Sequence, residues 1–388
     1  MIGKTKDRRK VMRSVKHLFL AIIAVTALIL GGCGDDDDTI VVLSYNGKFL
    51  YVNNSATENA VSGFAIRANG ALVELAGSPF ATGGASLGNL YAANPIAIAR
   101  SKKLLFAANT TDSTVTSFTI NSNTGALTPV GLPVVSGGTM GGGGSLAVDD
   151  DENFLFVGNE TTGDVSVLSI AADGTLTPVP GSPFALGAGF GPDGITLNPV
   201  GDTLYVAGSG SNFLAVLDVA FDGSLTHIAG SPFAYTAGGI ITSFVLSSST
   251  RGFSAATGGV LASYDIDADG APALLASLTV GGNNQAVTVT RRGRLAVVSG
   301  GSSSFLSTVQ VASNGTLTLV DGAPFVTAAP TSGYALANPS GRYLYVTEAI
   351  VEGVNQIEAF RINSAGALTS IAVYPLTNAE FATGLVIY

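Results

Sequence analysis

From residue 39 to the C-terminus, apolar and polar positions alternate in short runs separated by glycine, asparagine and aspartate. A period of two is the mark of a strand with one covered face, so the pattern predicts many short strands and tight turns rather than helices. Seven apolar-polar-apolar triplets recur, beginning at Phe64, Phe118, Leu168, Leu217, Tyr264, Val309 and Phe360. Four or five residues past each triplet stands a marker glycine: Gly70, Gly125, Gly174, Gly223, Gly270, Gly315 and Gly366, spaced by 55, 49, 49, 47, 45 and 51 residues. In most copies Asn or Asp precedes it, a pair suited to the positive φ of a hairpin turn. A second strand lies upstream of each triplet, as in Phe49–Asn54, Leu104–Asn109, Phe154–Asn159 and Tyr343–Glu348. A third apolar segment precedes that one, as in Pro95–Arg100 and Gly194–Pro199, and the marker glycine opens a fourth. Several fourth strands run out into Ser-Pro-Phe or Ala-Pro-Phe, at Ser78, Ser182, Ser231 and Ala323.

A four-stranded sheet of about 50 residues cannot cover both its faces, so neighbouring units must do it. Seven such sheets set radially satisfy that need. The expected fold is all-β, a seven-bladed β-propeller with four antiparallel strands per blade over residues 39–388. A membrane β-barrel also alternates, but it needs no four-strand module with a fixed marker. Both Thr39–Leu43 and Gly384–Tyr388 read as an innermost strand, and the expectation is that Gly384–Tyr388 completes the first blade beside Phe49–Asn54. Through Leu50-Tyr-Val-Asn-Asn, Leu204-Tyr-Val-Ala-Gly and Asn338-Pro-Ser-Gly-Arg-Tyr-Leu-Tyr-Val-Thr-Glu, the chain resembles the YVTN-type, lactonase-like (6-phosphogluconolactonase-like) family of seven-bladed propellers. That resemblance implies binding near the axis on one face. For relatives that are enzymes, it implies His, Arg and Glu around the pocket.

The first 32 residues follow different rules. Seven basic residues up to Lys16 precede thirteen uncharged, mostly apolar residues from Leu18 to Leu30. As a helix that run is about 20 Å long, short for a membrane span and right for the core of a signal peptide. It ends in Leu30-Gly-Gly-Cys33, which resembles the lipobox of bacterial lipoproteins. The organisation expected is a lipoprotein signal peptide over 1–32, a lipidated Cys33 with an acidic tether over 33–38, and the propeller over 39–388. An ordinary signal anchor with an incidental cysteine is the plainer alternative. Gly34 after Cys33 is compatible with outer-membrane sorting, so the expected location is extracytoplasmic, on the outer membrane or cell surface.

Composition narrows the chemistry. Only 12% of residues are charged, 46% are hydrophobic and 50 are glycine, a mixture too apolar for disorder and poor for long helices. Removing the leader takes away seven basic residues and one acid, which shifts the formal charge from −9 to −15. Such a surface repels nucleic acid, so the partners expected are the membrane, through Cys33, and a protein or glycan. Cys33 is the only cysteine, so neither a disulfide framework nor a CxxC site is available.

In a blade lettered A to D from the axis outward, the A-B and C-D turns share one face and the longer B-C and D-A loops the other. Most basic residues of the mature chain fall at A-B turns, including Lys48, Lys102, Lys103, Arg251, Arg291, Arg292 and Arg342. The long-loop face carries acids instead. Glu58, Asp112, Glu160, Asp164, Glu348, Glu352 and Glu380 are its candidate ligand-binding residues, with Asp193 beside them. No catalytic residue is assigned. The one mature histidine, His227, falls on an outer strand, and Asn338 stands where the resemblance implies histidine. Glu348 with Glu352 is a candidate acid-base pair for a neutral glycan. Asp265-Ile-Asp-Ala-Asp-Gly270 opens like a calcium loop, but its twelfth position is Ala276 and it aligns with an ordinary turn of the other units, so no cofactor is expected beyond a weak case for Ca2+. The function expected is a lipid-anchored binding or interaction module acting through its acidic loop face. The alternative is a lactonase-like hydrolase of a neutral lactone.

Overall fold

The computed structural model describes residues 47–86, 94–142, 144–187, 189–210, 212–283, 286–290, 293–301, 303–349, 355–377 and 379–388. The leader, Cys33, the acidic tether, Thr39–Leu43, Arg291, Arg292 and Glu352 lie outside them. The described residues form seven antiparallel sheets and no helix.

In blade 1, strands A to D are Thr383–Ile387, Phe49–Asn53, Ala60–Ile66 and Leu72–Glu74. Blade 2 has Ile96–Ala99, Leu104–Asn109, Thr114–Ile120 and Leu127–Pro129, and blade 3 has Leu146–Val148, Phe154–Asn159, Asp164–Ile170 and Leu176–Pro178. Blade 4 has Pro192–Leu197, Thr203–Gly208, Phe213–Val219 and Leu225–His227, and blade 5 has Ile241–Ser248, Arg251–Ala256, Val260–Ile266 and Pro272–Thr279. Blade 6 has Val287–Val289, Leu295–Ser299, Phe305–Val311 and Leu317–Leu319, and blade 7 has Thr331–Ala337, Tyr343–Ala349, Gln356–Ile362 and Leu368–Pro375. Each innermost strand packs on that of the next blade, and blade 7 packs on blade 1. The ring is closed as the C-terminal pattern predicts: Leu50 pairs with Ile387, Tyr51 with Val386 and Val52 with Leu385.

The outer strands depart from a simple four-strand unit. In five blades the chain breaks at its Gly-Xaa-Pro step and returns as a two-residue strand, such as Phe80–Ala81, beside the start of strand C. Blades 5 and 7 have no such step in their outer segment, and there strand D runs unbroken for eight residues. The hydroxyls of Ser78, Ser182 and Ser231 accept hydrogen bonds from Gly63, Val167 and Val216 at 3.1, 2.9 and 2.8 Å, which satisfies donors of strand C that strand D leaves free at the break.

The core lies in the seams. Seven hydrophobic clusters form, each drawn mainly from two adjacent blades. Strands B are therefore covered on both faces, and Phe49–Asn53 and Leu104–Asn109 are buried at every position. The marker glycines bind seams as well as turns. Gly125 has φ +76°, and a Cβ there would meet the Phe49 ring of blade 1 at 2.6 Å. Its carbonyl accepts the Tyr51 hydroxyl at 2.7 Å. Tyr205 bonds Gly270 at 2.9 Å and Tyr345 bonds Gly70 at 3.0 Å in the same way, each reaching the next blade.

Candidate functional site

Every described lysine and arginine lies at the short-turn end of the ring: Lys48, Arg100, Lys102, Lys103, Arg251, Arg294 and Arg342 at or beside A-B turns, Arg67 at a C-D turn, and Arg361 near the lower end of strand C in blade 7. His227 is half-buried on strand D of blade 4, where its Nδ1 shares a hydrogen bond of 2.9 Å with Ser231 Oγ. Asn338 is buried at the same end, and its Oδ1 accepts hydrogen bonds from Ser340 Oγ and from the N–H groups of Arg342 and Tyr343. Both residues thus hold outer-strand or turn geometry.

The long-loop end is acidic, and its acids divide into two sets. Glu58, Asp112 and Glu380 are exposed. Glu380 Oε1 accepts from the Thr57 N–H at 3.2 Å and its hydroxyl at 2.9 Å, which brings Glu380 beside the Glu58 loop. Asp112 Oδ2 accepts from the Ala85 N–H at 2.6 Å, tying blade 2 to the loop leaving blade 1. Asp164 and Glu348, by contrast, are buried and turned toward protein. Asp164 Oδ1 accepts from Asn159 Nδ2 at 2.6 Å, and Glu348 Oε2 accepts from Gln356 Nε2 at 2.6 Å. The pairing expected of Glu348 with Glu352 falls partly outside the described residues. Glu348 instead stands diagonal to Glu358 on the neighbouring strand of blade 7, and Glu358 is also buried. Burial, reinforced by Glu358, pushes the Glu348 carboxyl up to about 8.

A further group stands where blades 3 and 4 meet near the axis. Strand A of blade 4 opens on a bulge between Pro192 and Gly194, which sets Asp193 out of the regular ladder. Asp193 is 4% exposed. Glu160 follows strand B of blade 3 in the B-C turn and is half-buried. Its side chain runs between two glycines: a Cβ on Gly191 would lie 3.4 Å from its Cγ, and one on Gly141 would lie 3.5 Å from its Oε2. Burial first, and the Glu160 charge second, hold the Asp193 carboxyl well above the usual carboxylate range. The pair sets a buried carboxyl that favours its protonated form beside a half-buried one, an arrangement suited to acid and base roles.

The segment resembling a calcium loop is a hairpin turn in this fold. Asp267 Oδ1 accepts from the Asp269 and Ala271 N–H groups at 2.9 and 2.8 Å, as Asn363 does from Ala365 and Ala367 in blade 7.

Asp193 and Glu358 carried no distinctive sequence motif. The signal for Glu358 is a carboxylate at a strand-C position that the other blades fill with Ser, Thr or Ala; for Asp193 it is a Pro-Asp-Gly break at the start of an innermost strand.

Residues 33–141 and 85–192 match the family model described as "Lactonase, 7-bladed beta-propeller". Solved structures similar to this chain include a candidate 6-phosphogluconolactonase from Bacteroides uniformis, at 15% identity over 88% of this chain and 100% of that one, with a TM-score of 0.73. A candidate 6-phosphogluconolactonase from Bacteroides fragilis matches at 16% identity over 91% and 100%, with a TM-score of 0.71. The periplasmic gluconolactonase of Pseudomonas aeruginosa matches at 15% identity over 87% and 99%, with a TM-score of 0.69. At these identities the likeness to solved structures is one of fold. No curated protein sequence matches the chain. The closed ring of seven blades and the match over residues 33–192 together identify the chain as a seven-bladed β-propeller that resembles the lactonase family.

Proposed function

We propose that the protein is a lipid-anchored, extracytoplasmic propeller that binds a neutral, hydroxyl-rich or cationic ligand through its acidic long-loop face. The observation that carries this reading is the sorting of charge: the described lysines and arginines lie at the short-turn end, while Glu58, Asp112, Glu160 and Glu380 are exposed or half-exposed at the other. A site that holds a phosphate or carboxylate needs cationic partners or a set of aimed N–H groups. Carboxylates and hydroxyls suit sugar hydroxyls, divalent ions and basic peptide segments. The lipobox-like Leu30-Gly-Gly-Cys33 supports the anchor, and the acidic run after it supports a solvated tether.

A second reading, hydrolysis of an uncharged lactone, is favoured by the family match and by the Asp193–Glu160 pair. There Asp193 would supply a proton to the lactone carbonyl oxygen and Glu160 would take one from the attacking water. Thermal-shift titration of the purified protein with neutral oligosaccharides, divalent cations, a lysine-rich peptide and an anionic sugar separates the readings, because a ligand that binds the native state raises the melting temperature with its excess. The binding reading expects a shift for one of the first three that weakens in Glu160→Gln. It fails if the anionic sugar alone stabilises the protein. Hydrolysis of an uncharged sugar lactone above background, lost in Asp193→Asn, would install the second reading.

A further inference from the structure

The register of the seven blades allows the same two places to be compared seven times. The residue at the long-loop end of strand B, or one step from it, is Asn54, Asn109 and Asn159 in blades 1 to 3, Gly208, Ala256 and Gly300 in blades 4 to 6, and Glu348 in blade 7. The strand-C residue diagonal to it on the same face is Ser62, Thr116 and Ser166, then Ala215, Ala262 and Ser307, and in blade 7 Glu358. In blades 1 to 3 these two places are joined by a neutral amide–hydroxyl bond: Ser62 Oγ donates to Asn54 Oδ1 at 2.9 Å, Asn109 Nδ2 to Thr116 Oγ1 at 3.0 Å, and Asn159 Nδ2 to Ser166 Oγ at 2.7 Å. Blade 7 alone puts two carboxyl groups there, and both are buried, at 0% and 3% exposure.

Two carboxylates cannot hydrogen-bond unless one carries a proton, and the surroundings decide which. Glu358 already accepts from two donors, the Ala328 N–H at 2.8 Å on Oε2 and the Ser370 hydroxyl at 2.5 Å on Oε1. Glu348 accepts on Oε2 from Gln356, while its Oε1 is sealed from solvent with no donor in hydrogen-bond geometry. Glu348, the carboxyl with the fewer donors, takes the proton and donates. The hydrogen-bond and strand-register partners of the pair among the described residues include Ala328, Ser332, Val346, Gln356, Ser370 and Val373, none of them charged. The other ionisable side chains of the blade 7 strands, Tyr334, Tyr343, Tyr345 and Tyr374, face the seam with blade 1, and Arg361 is exposed on that same side of strand C.

We infer that Glu348 and Glu358 share one proton in the folded protein and that this acid–carboxylate bond is a latch, fastening the blade 6 to blade 7 connection at Ala328 to blade 7 and releasing it as the proton is lost. The connection lies on the long-loop side, so the latch governs one sector of the acidic face. Glu348 is raised from an ordinary 4.5 to about 8 in the fold. The folded chain therefore keeps a proton between those values that the unfolded chain gives up. The latch's stabilisation is fully present below pH 4.5 and is lost as the pH rises through about 8.

The test compares the full chain with its Glu348→Gln variant, whose amide donates to Glu358 at every pH, by thermal unfolding from pH 5 to 9 and by infrared spectroscopy in heavy water. The expected result is near-equal melting temperatures at pH 5, then a gap of a few degrees in favour of Glu348→Gln that widens to about pH 8 and stays level above it. The parent-minus-variant infrared difference spectrum, in which the buried Asp193 carboxyl cancels, should show a protonated carboxylic acid carbonyl band at pH 6.5 that fades toward pH 9. A gap that does not change with pH, or a difference spectrum without that band at pH 6.5, overturns the latch. If Glu348→Gln does not fold, the band of an Asp193→Asn protein, which keeps Glu348 and Glu358, decides alone: present at pH 6.5 and lost by pH 9, it supports the latch, and absent or unchanged, it refutes it. Lactone or ligand assays play no part, so the outcome stands apart from the functional reading.

Discussion

Tyr51 shows how a single residue serves both the strand and the ring. Its ring fills the seam between blades 1 and 2, and its hydroxyl satisfies the Gly125 carbonyl of the next blade. Burial pushes its phenol well above the usual tyrosine range, so it stays a neutral donor over the working pH range. Tyr51→Phe keeps the packing and leaves a buried carbonyl without its donor, which should cost about 1–3 kcal/mol in denaturant unfolding, with no change in secondary structure. Gly125→Ala should cost at least as much, because it needs a positive φ and drives a methyl group against Phe49. The tyrosines were legible as alternating strand positions, and the glycines as turn formers. Their meeting across a seam was not, since it joins residues 74 positions apart. Asp193 is a similar case. Its type and its place at the start of an innermost strand are visible in the chain, but its burial beside Glu160 depends on how blades 3 and 4 meet.

At the scale of elements, the C-terminal strand carries the closure. Thr383–Ile387 belongs to blade 1 although it is made last, and Leu385 and Ile387 are 1% and 7% exposed in the seam with blade 7. At about 1.5–3 kcal/mol for each buried Leu or Ile side chain, deleting residues 383–388 removes roughly 3–6 kcal/mol before any strand pairing is considered. The truncated protein should melt well below the parent in calorimetry, and an unchanged transition would show that another strand closes the ring. The period-two pattern foretold this strand correctly because both its faces and its partner Phe49–Asn53 read as innermost and second strands. The broken outer strands were visible only as Ser-Pro-Phe punctuation. That the chain returns to pair a second time with strand C follows from hydrogen-bond satisfaction at the blade rim, which no local pattern specifies.

Across the whole molecule, the repeat leaves one end acidic and gives the other a mixture of both signs, with Asp150, Glu152, Asp173 and Asp267 among the basic residues of the short turns. A-B and C-D turns collect the described lysines and arginines, and the B-C and D-A loops collect exposed carboxylates, because each turn class recurs at the same end of every blade. Crowded like charges repel, and salt screens them over about 10 Å at 0.1 M. Reversing the exposed Glu58 to Lys should therefore raise the melting temperature slightly at low ionic strength, by an amount equivalent to no more than about 1 kcal/mol, and the gain should vanish in high salt. A salt-independent effect would mean that Glu58 acts through a local contact instead.

Composition, the two-residue alternation and seven marker glycines were enough to determine an all-β ring, its blade count and the gathering of its basic residues at one end, because each is a property of local period and of turns repeated in order; they left two candidates for the closing strand, between which the pairing of Leu50 with Ile387 decided. Which acids reach solvent, and which are sealed into seams beside another carboxylate, was decided only by tertiary packing. Glu58 and Glu348 look alike in a list of loop-side acids, yet one is exposed and the other is 0% exposed. The difference arises when two sheets press together, since burial removes the water that would otherwise keep every carboxylate charged.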